Sequence, residues 1–223
     1  MKRILNTLSQ KWPEYLLEIL VLIIGIYGAF AVDNWNESRK EKEKEKIALT
    51  QLVVELRQDA EWLNQLKELS YKRKRGLQAI ASNENSALDS LSFFINRYAQ
   101  FKGVNSKYLG MKSSNELSII SNESLRNSIT KYYEITYREM GDWIDYQKEY
   151  VSTQVEPFIT EKIPLDQYER SDFEEVNRQL RGFHLNNLIF NQIIFYQKFG
   201  EITQTTWVEN QALIKAIQIE QEL

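Results

Sequence analysis

The chain has 223 residues, with 28 Lys+Arg against 31 Asp+Glu and a net charge of -3, so no bulk basic surface for nucleic acid is present. It has no cysteine and a single histidine, His184, which excludes disulfides, thiolate chemistry, Cys-based metal centres and paired-imidazole catalysis. Apolar residues make up 43% and charged residues 26%, a globular balance, and only eight glycines and three prolines interrupt the chain, which predicts an all-α protein of long helices.

Mean hydropathy is -0.48 over the chain, yet one early window departs from it. From Ile19 to Val32 the sequence reads ILVLIIGIYGAFAV, without a charge. Extended back to Leu16, and so including Glu18, it supplies 17 residues, about 25 Å of helix, at the short end of what a ~30 Å hydrocarbon core requires. Residues 16–36 are therefore expected to be a transmembrane anchor preceded by a short segment, 1–15. Trp12, Tyr15 and Trp35 flank the run as interfacial anchors. Gly25 and Ala29, with Gly28 beside them, form a small-residue surface of the kind that lets membrane helices approach closely. Glu18 is the one ionisable group in the apolar run. It has two readings: a headgroup-level carboxylate favoured by the helix dipole, or a partner, pore or proton contact.

Two other readings of this segment stand beside the anchor. A cleaved signal peptide would start at Lys2 and Arg3 and end at Ala29-Phe30-Ala31, although Pro13, Glu14 and Glu18 make an atypical lead-in. A buried helix of a soluble domain is the third. For an anchor, Lys and Arg number three before the run and five after it, which favours a cytoplasmic C-terminal side. Long domains are exported largely regardless of such counts, and analogy with exported anchored domains points outward instead.

Residues 37–48 contain SRKEKEKEK, a charged, helix-forming stalk. The stretch LEILVLIIGIYGAFAVDNWNESRK resembles the opening of a family of uncharacterised single-pass membrane proteins common in Bacteroidota. Their pattern is Gly-Glu-Ile, an apolar run with a Gly-Ile step and an Ala, then Asn-x-Trp-Asn-Glu. Glu18-Ile19, Gly25-Ile26, Ala29 and Asn34-Trp35-Asn36-Glu37 fit that register, and Leu17 stands where the family usually has Gly. A second stretch, KSSNELSIISNESLRNSITKYY from Lys112 to Tyr133, is similar to the same family's Ile-Ser-Asn segment, with Asn115 in a usual Gly position. The resemblance covers about a fifth of the chain and implies a single-pass anchor, in a bacterial inner membrane, with a helical soluble domain; the family brings no established activity with it.

Beyond the stalk, residues 49–223 are expected to form an antiparallel helical bundle. Leu49, Leu52, Val53, Leu56, Ala60, Leu63 and Leu66 make one apolar face. It fits either a membrane-proximal coiled coil, with Asp59 interrupting the register, or packing against later helices. YKRKRG, Tyr71 to Gly76, reads as a solvated basic helix end. Leu88, Leu91, Phe94, Ile95 and Tyr98 predict a second helix ending near Gly103, and 102–115 predict a loop. Asn122 is placed to cap a third helix with apolar positions Leu125, Ile129, Tyr132, Ile135, Tyr137, Met140, Trp143 and Ile144. Its tyrosines suit either a core or a ligand face. Pro157 and Pro164 are expected to break that helix, and Ser171 to open the next in a capping box with Glu174. Phe173, Val176, Leu180 and Phe183 share a face there, before a last helix running toward Leu223.

No phosphate loop, dinucleotide fingerprint or zinc-protease motif occurs, and no residue set stands out as catalytic, cofactor-binding or metal-binding. His184 reads as structural. The expected role is non-enzymatic: an envelope interaction, scaffold or sensing module in contact with the lipid bilayer, working as a homo-oligomer or with a membrane-protein partner. The alternative is an oligomeric channel or transporter accessory assembled through Glu18, Gly25 and Ala29.

Overall fold

The computed structural model describes residues 2–101 and 103–222, and for residues 2–11, 13–15 and 86 the backbone alone. All regular structure among them is helical, apart from one isolated bridge between Leu165 and Ser171. The chain divides into two compact units, Met1–Ala48 and Leu49–Leu223. Helix α1, Lys2–Ala81, contributes to both. Three shorter helices follow: α2 (Leu91–Ile95), α3 (Ser106–Ser113) and α4 (Glu123–Lys131). Then come α5 (Tyr137–Tyr150), α6 (Glu156–Lys162), α7 (Phe173–Gln179) and α8 (Phe183–Glu222).

In the first unit the large apolar side chains from Leu16 to Val32 are 46–74% exposed, on every side of the helix. One helix is thus long and apolar enough to cross a membrane.

The second unit is an up-down-up-down bundle. The apolar stripe of α1 is buried at Leu49, Leu52, Val53, Leu56, Leu63 and Leu66. Helix α8 runs antiparallel to it, as the hydrogen bonds Gln221 to Thr50, Asn210 to the Leu56 carbonyl and Arg73 to Tyr196 show. Helices α4, α5 and α6 form the third arm and run antiparallel to α8, with contacts from Asn122–Glu220 to Asn191–Tyr150. Between the first and third arms, residues 82–122 descend beside α1: the Arg97 carbonyl meets Arg73, the Val104 N–H meets Asp59 and the Lys107 N–H meets Glu55. The core gathers Leu63, Leu77, Leu88, Ile95, Met140, Ile159, Val176, Leu188 and Phe199.

Several local expectations are corrected. The YKRKRG stretch is no helix end: α1 continues to Ala81, and Arg73 is buried. Asn83 supplies the stop, adopting a left-handed φ of 58° that Asn tolerates without a glycine. The second arm is broken into a 3-10 turn (Asn85–Ser90), α2 and α3, so the expected loop at 102–115 contains a helix and the expected helix at 88–98 is shorter. Asn115 also lies in the left-handed region (φ 59°), a conformation shared by Asn and Gly.

The third arm is continuous through two π turns, Tyr132–Thr136 and Val151–Val155. Each π turn accommodates an extra residue and rotates the following face. Hence Tyr133 is buried and Ile135 is 54% exposed, the reverse of a strict helical period. Pro157 does not break this arm. It sits in the first turn of α6, just after the second π turn, where a missing N–H is tolerated. Asn122 caps α4 as expected, accepting from the Leu125 N–H at 3.1 Å. The cap of α7 is Asp172, accepting from Glu175 N–H at 2.8 Å; Ser171 instead turns inward and its hydroxyl accepts from Ser92 N–H at 3.0 Å. Phe183 leaves the shared face and is exposed.

Candidate functional site

Most of the residues expected to matter in the apolar helix are described, and they lie on its surface. Glu18, Gly25, Gly28, Ala29, Trp12 and Trp35 are all exposed on α1, and a methyl group added at Gly25 or Gly28 would meet nothing within 4 Å. The side chains of Tyr15, Lys2, Arg3, Lys11 and Glu14 lie outside the described residues. A small-residue surface in this setting offers room for a second helix but no chemistry of its own.

The bundle assembles a polar centre that the sequence showed only as three unrelated oddities: an acid in an apolar stripe, a tyrosine-rich run and a glycine-bearing loop. Asp59 faces inward from α1 and has no exposed surface. Its Oδ1 accepts from the Val104 N–H at 2.7 Å, while its Oδ2 is buried without a partner. Tyr132, Tyr133 and Tyr137 come from the first π turn and the start of α5, with ring centroids 5.0–6.0 Å apart. The hydroxyls of Tyr133 and Tyr137 are also buried without partners. Asn210 of α8 donates to the Leu56 carbonyl at 3.0 Å and to the Tyr132 hydroxyl at 3.2 Å.

The electrostatics follow from this enclosure. Burial pushes the Asp59 carboxyl up from 3.8 to about 7; the Val104 N–H opposes the rise and the charge of Glu55 adds to it. Burial likewise raises the phenols of Tyr132, Tyr133 and Tyr137, and the Asp59 charge reinforces it. An acid that exchanges its proton near neutrality, ringed by phenols that hold theirs, is a protonation centre.

A cover closes this centre. Gly103 lies so tightly on Tyr137 that a Cβ there would overlap the phenol oxygen, and Phe101 packs edge-on against the same ring at 5.1 Å. Tyr108 of α3 stacks on Tyr133 at 4.4 Å. Its hydroxyl donates to Glu134 at 2.8 Å, and Lys112 pairs with the same carboxylate at 2.6 Å. Two carboxylates of α1 hold the cover's backbone. Asp59 takes the Val104 N–H, and Glu55 takes the Lys107 N–H and the Ser106 hydroxyl at the start of α3. A carboxylate there also meets the positive end of the helix dipole.

His184, the one histidine, is exposed and packs near the Phe158 ring at 4.5 Å. Among the described residues no group of three or more acidic or histidine side chains is arranged to hold a metal.

Fold and site together define a class: an all-α protein carrying an uncovered apolar helix and a four-arm bundle closed around a buried acid. The chain belongs to a family of unknown function, DUF6090, whose match spans residues 18–177. That span begins at Glu18 in the apolar run and covers the Asp59 centre with its cover and tyrosines; α8, which supplies Asn210, lies beyond it. No curated protein matches the chain, and no solved structure does.

Proposed function

We propose that this chain is a non-catalytic interaction or sensing module of a bacterial envelope, held in the inner membrane by residues 16–36, with the bundle as its working part. The observation that carries this reading is the apolar run itself. Its side chains are exposed all round the helix, and hydrocarbon is the solvent that suits such a surface. The resemblance of this run and of the Lys112–Tyr133 stretch to single-pass proteins of Bacteroidota supports the same setting. The buried Asp59 centre supports sensing over passive scaffolding. Burying an acid there is unfavourable, and the centre lies where α1, the cover and the third arm meet.

Reporter fusions after Leu223, active on only one side of the membrane, test the assignment. A single defined side for the bundle is expected. A reporter active in the soluble fraction contradicts the module's attachment.

A second reading, an oligomeric channel or transporter accessory, draws on the open surface at Gly25 and Gly28 and on Glu18 in the apolar run. It expects a discrete oligomer in mild detergent that Gly25→Leu disperses and Glu18→Gln alters. A monomer indifferent to both substitutions removes it.

A further inference from the structure

Arg73 is buried inside the bundle, with 6% of its surface exposed. Its Nη1 donates to the Arg97 carbonyl at 3.2 Å and to the Tyr196 hydroxyl at 2.8 Å, and that hydroxyl donates onward to the same carbonyl at 2.7 Å. Its Nε–H is buried with no acceptor. No carboxylate among the described residues lies within ion-pair distance of it. The guanidinium thus stands as a buried cation without a counter-charge. The Tyr196 ring, 5.5 Å from the guanidinium, offsets part of the desolvation cost but supplies no counter-charge.

The same residue lines an open cleft of about 490 Å³, together with Trp62, Leu66, Leu69, Asn96 and Tyr98. Asn96 brings a second orphan: its Oδ1 is buried without a donor. The other cation in the cleft wall, Arg97, is already engaged, paired with Glu169 at 2.9 Å and lying over the Phe93 ring. The cleft thus combines one positive charge without a counter-ion, one carbonyl oxygen lacking a donor, and walls of leucine and aromatic rings with Gln65 and Gln100 among them. Its volume falls within the ~300–1,000 Å³ common for small-molecule sites.

We propose that this cleft binds a small carboxylic acid that carries a hydrogen-bond donor beside its carboxylate and an apolar side chain, the chemistry of an apolar α-amino acid. The carboxylate supplies the counter-charge that Arg73 lacks, the ammonium donates to Asn96 Oδ1, and the side chain lies against Trp62 and Tyr98. A single negative charge matches the single free cation, whereas a phosphate dianion leaves a surplus charge in a half-buried site. The proposal concerns the bundle alone and stands or falls independently of membrane attachment.

The test is calorimetric titration and thermal melting of the full chain in mild detergent with L-phenylalanine and L-leucine. Phenylalaninol, lacking the carboxylate, and 3-phenylpropionate, lacking the amine, serve as controls. Saturable binding with a raised thermal midpoint is expected for the amino acids, with each control weaker by about tenfold or more. Arg73→Met, which removes an unpaired buried charge at similar volume, is expected to keep the fold and lose the binding. Trp62→Ala, at a half-exposed wall position, is expected to weaken binding about tenfold without unfolding the bundle, whatever Arg73→Met does to folding. Asn96→Asp provides an internal carboxylate, and is expected to raise the ligand-free midpoint and abolish the ligand's effect. Failure of both amino acids to bind at millimolar concentration overturns the proposal. So does equal binding of phenylalaninol, or binding unchanged in the Trp62 variant.

Discussion

At the scale of single residues, Asp59 governs how the bundle responds to pH. Its carboxyl titrates near 7 in the folded chain against 3.8 in an ordinary setting, so the folded state holds a proton that the unfolded state has released. The associated stability is fully present below about pH 4 and is lost as pH rises through 7. At roughly 1.4 kcal/mol per pH unit, that interval is worth on the order of 4 kcal/mol. The carboxylates Glu134, Glu161, Asp166, Glu175 and Glu201 are held below their usual range, mainly by basic partners and hydrogen bonds. They act in the opposite direction and only at more acidic pH. Between pH 5 and 8, therefore, the thermal midpoint in mild detergent is expected to fall as pH rises. Asp59→Asn keeps an acceptor for Val104 and turns an amide toward the unpartnered phenols. It is expected to flatten the slope and to raise stability at pH 8 by roughly 1–3 kcal/mol. An unchanged slope in that variant would assign the effect elsewhere. Gly103 is the steric counterpart: any Cβ there collides with Tyr137. Gly103→Ala is expected to cost about 1–3 kcal/mol, read as a lowered thermal midpoint, whereas Gly110→Ala, inside α3 where the space is open, is expected to raise it slightly.

At the scale of elements, the sequence was legible where a period ran undisturbed and misleading where the backbone broke it. The α1 stripe from Leu49 to Leu66 and the Asn122 cap lie where spacing and cap chemistry place them. The third arm escaped because π turns leave no composition signal. A period carried across Tyr132–Thr136 assigns Ile135 to the core and leaves Tyr133 outside. Truncation separates the two: Tyr133→Ala is expected to destabilise by about 2–4 kcal/mol and Ile135→Ala by less than about 0.5, by chemical denaturation in detergent. Asp172 displaced Ser171 as a cap for a tertiary reason, since Ser171 is needed by the Ser92 N–H across the fold. Cap chemistry cannot reveal that demand. The Asp59 centre was partly legible in the same way. An acid in a leucine stripe, crowded tyrosines and a glycine loop were each visible, but their meeting depends on the broken second arm folding back along α1. The Asp172→Ala substitution is expected to cost about 1 kcal/mol as a lost cap, measured by the same denaturation.

At the scale of the whole molecule, the two units divide the chemistry. One is apolar on every face from Leu16 to Val32 and holds no buried core there; the other buries its apolar residues around a polar centre. The proposed reading, a bundle tethered to a bilayer, rests on the first of these arrangements. The competing fate of the first unit is removal at Ala29-Phe30-Ala31, which would release the bundle into solution. Intact-mass measurement of the full-length chain recovered from carbonate-washed membranes separates the two fates directly. A tethered module predicts the whole chain in the washed membrane, at the mass of all 223 residues and released only by detergent. Recovery in the wash, or at a mass lacking the first 31 residues, would contradict the anchor.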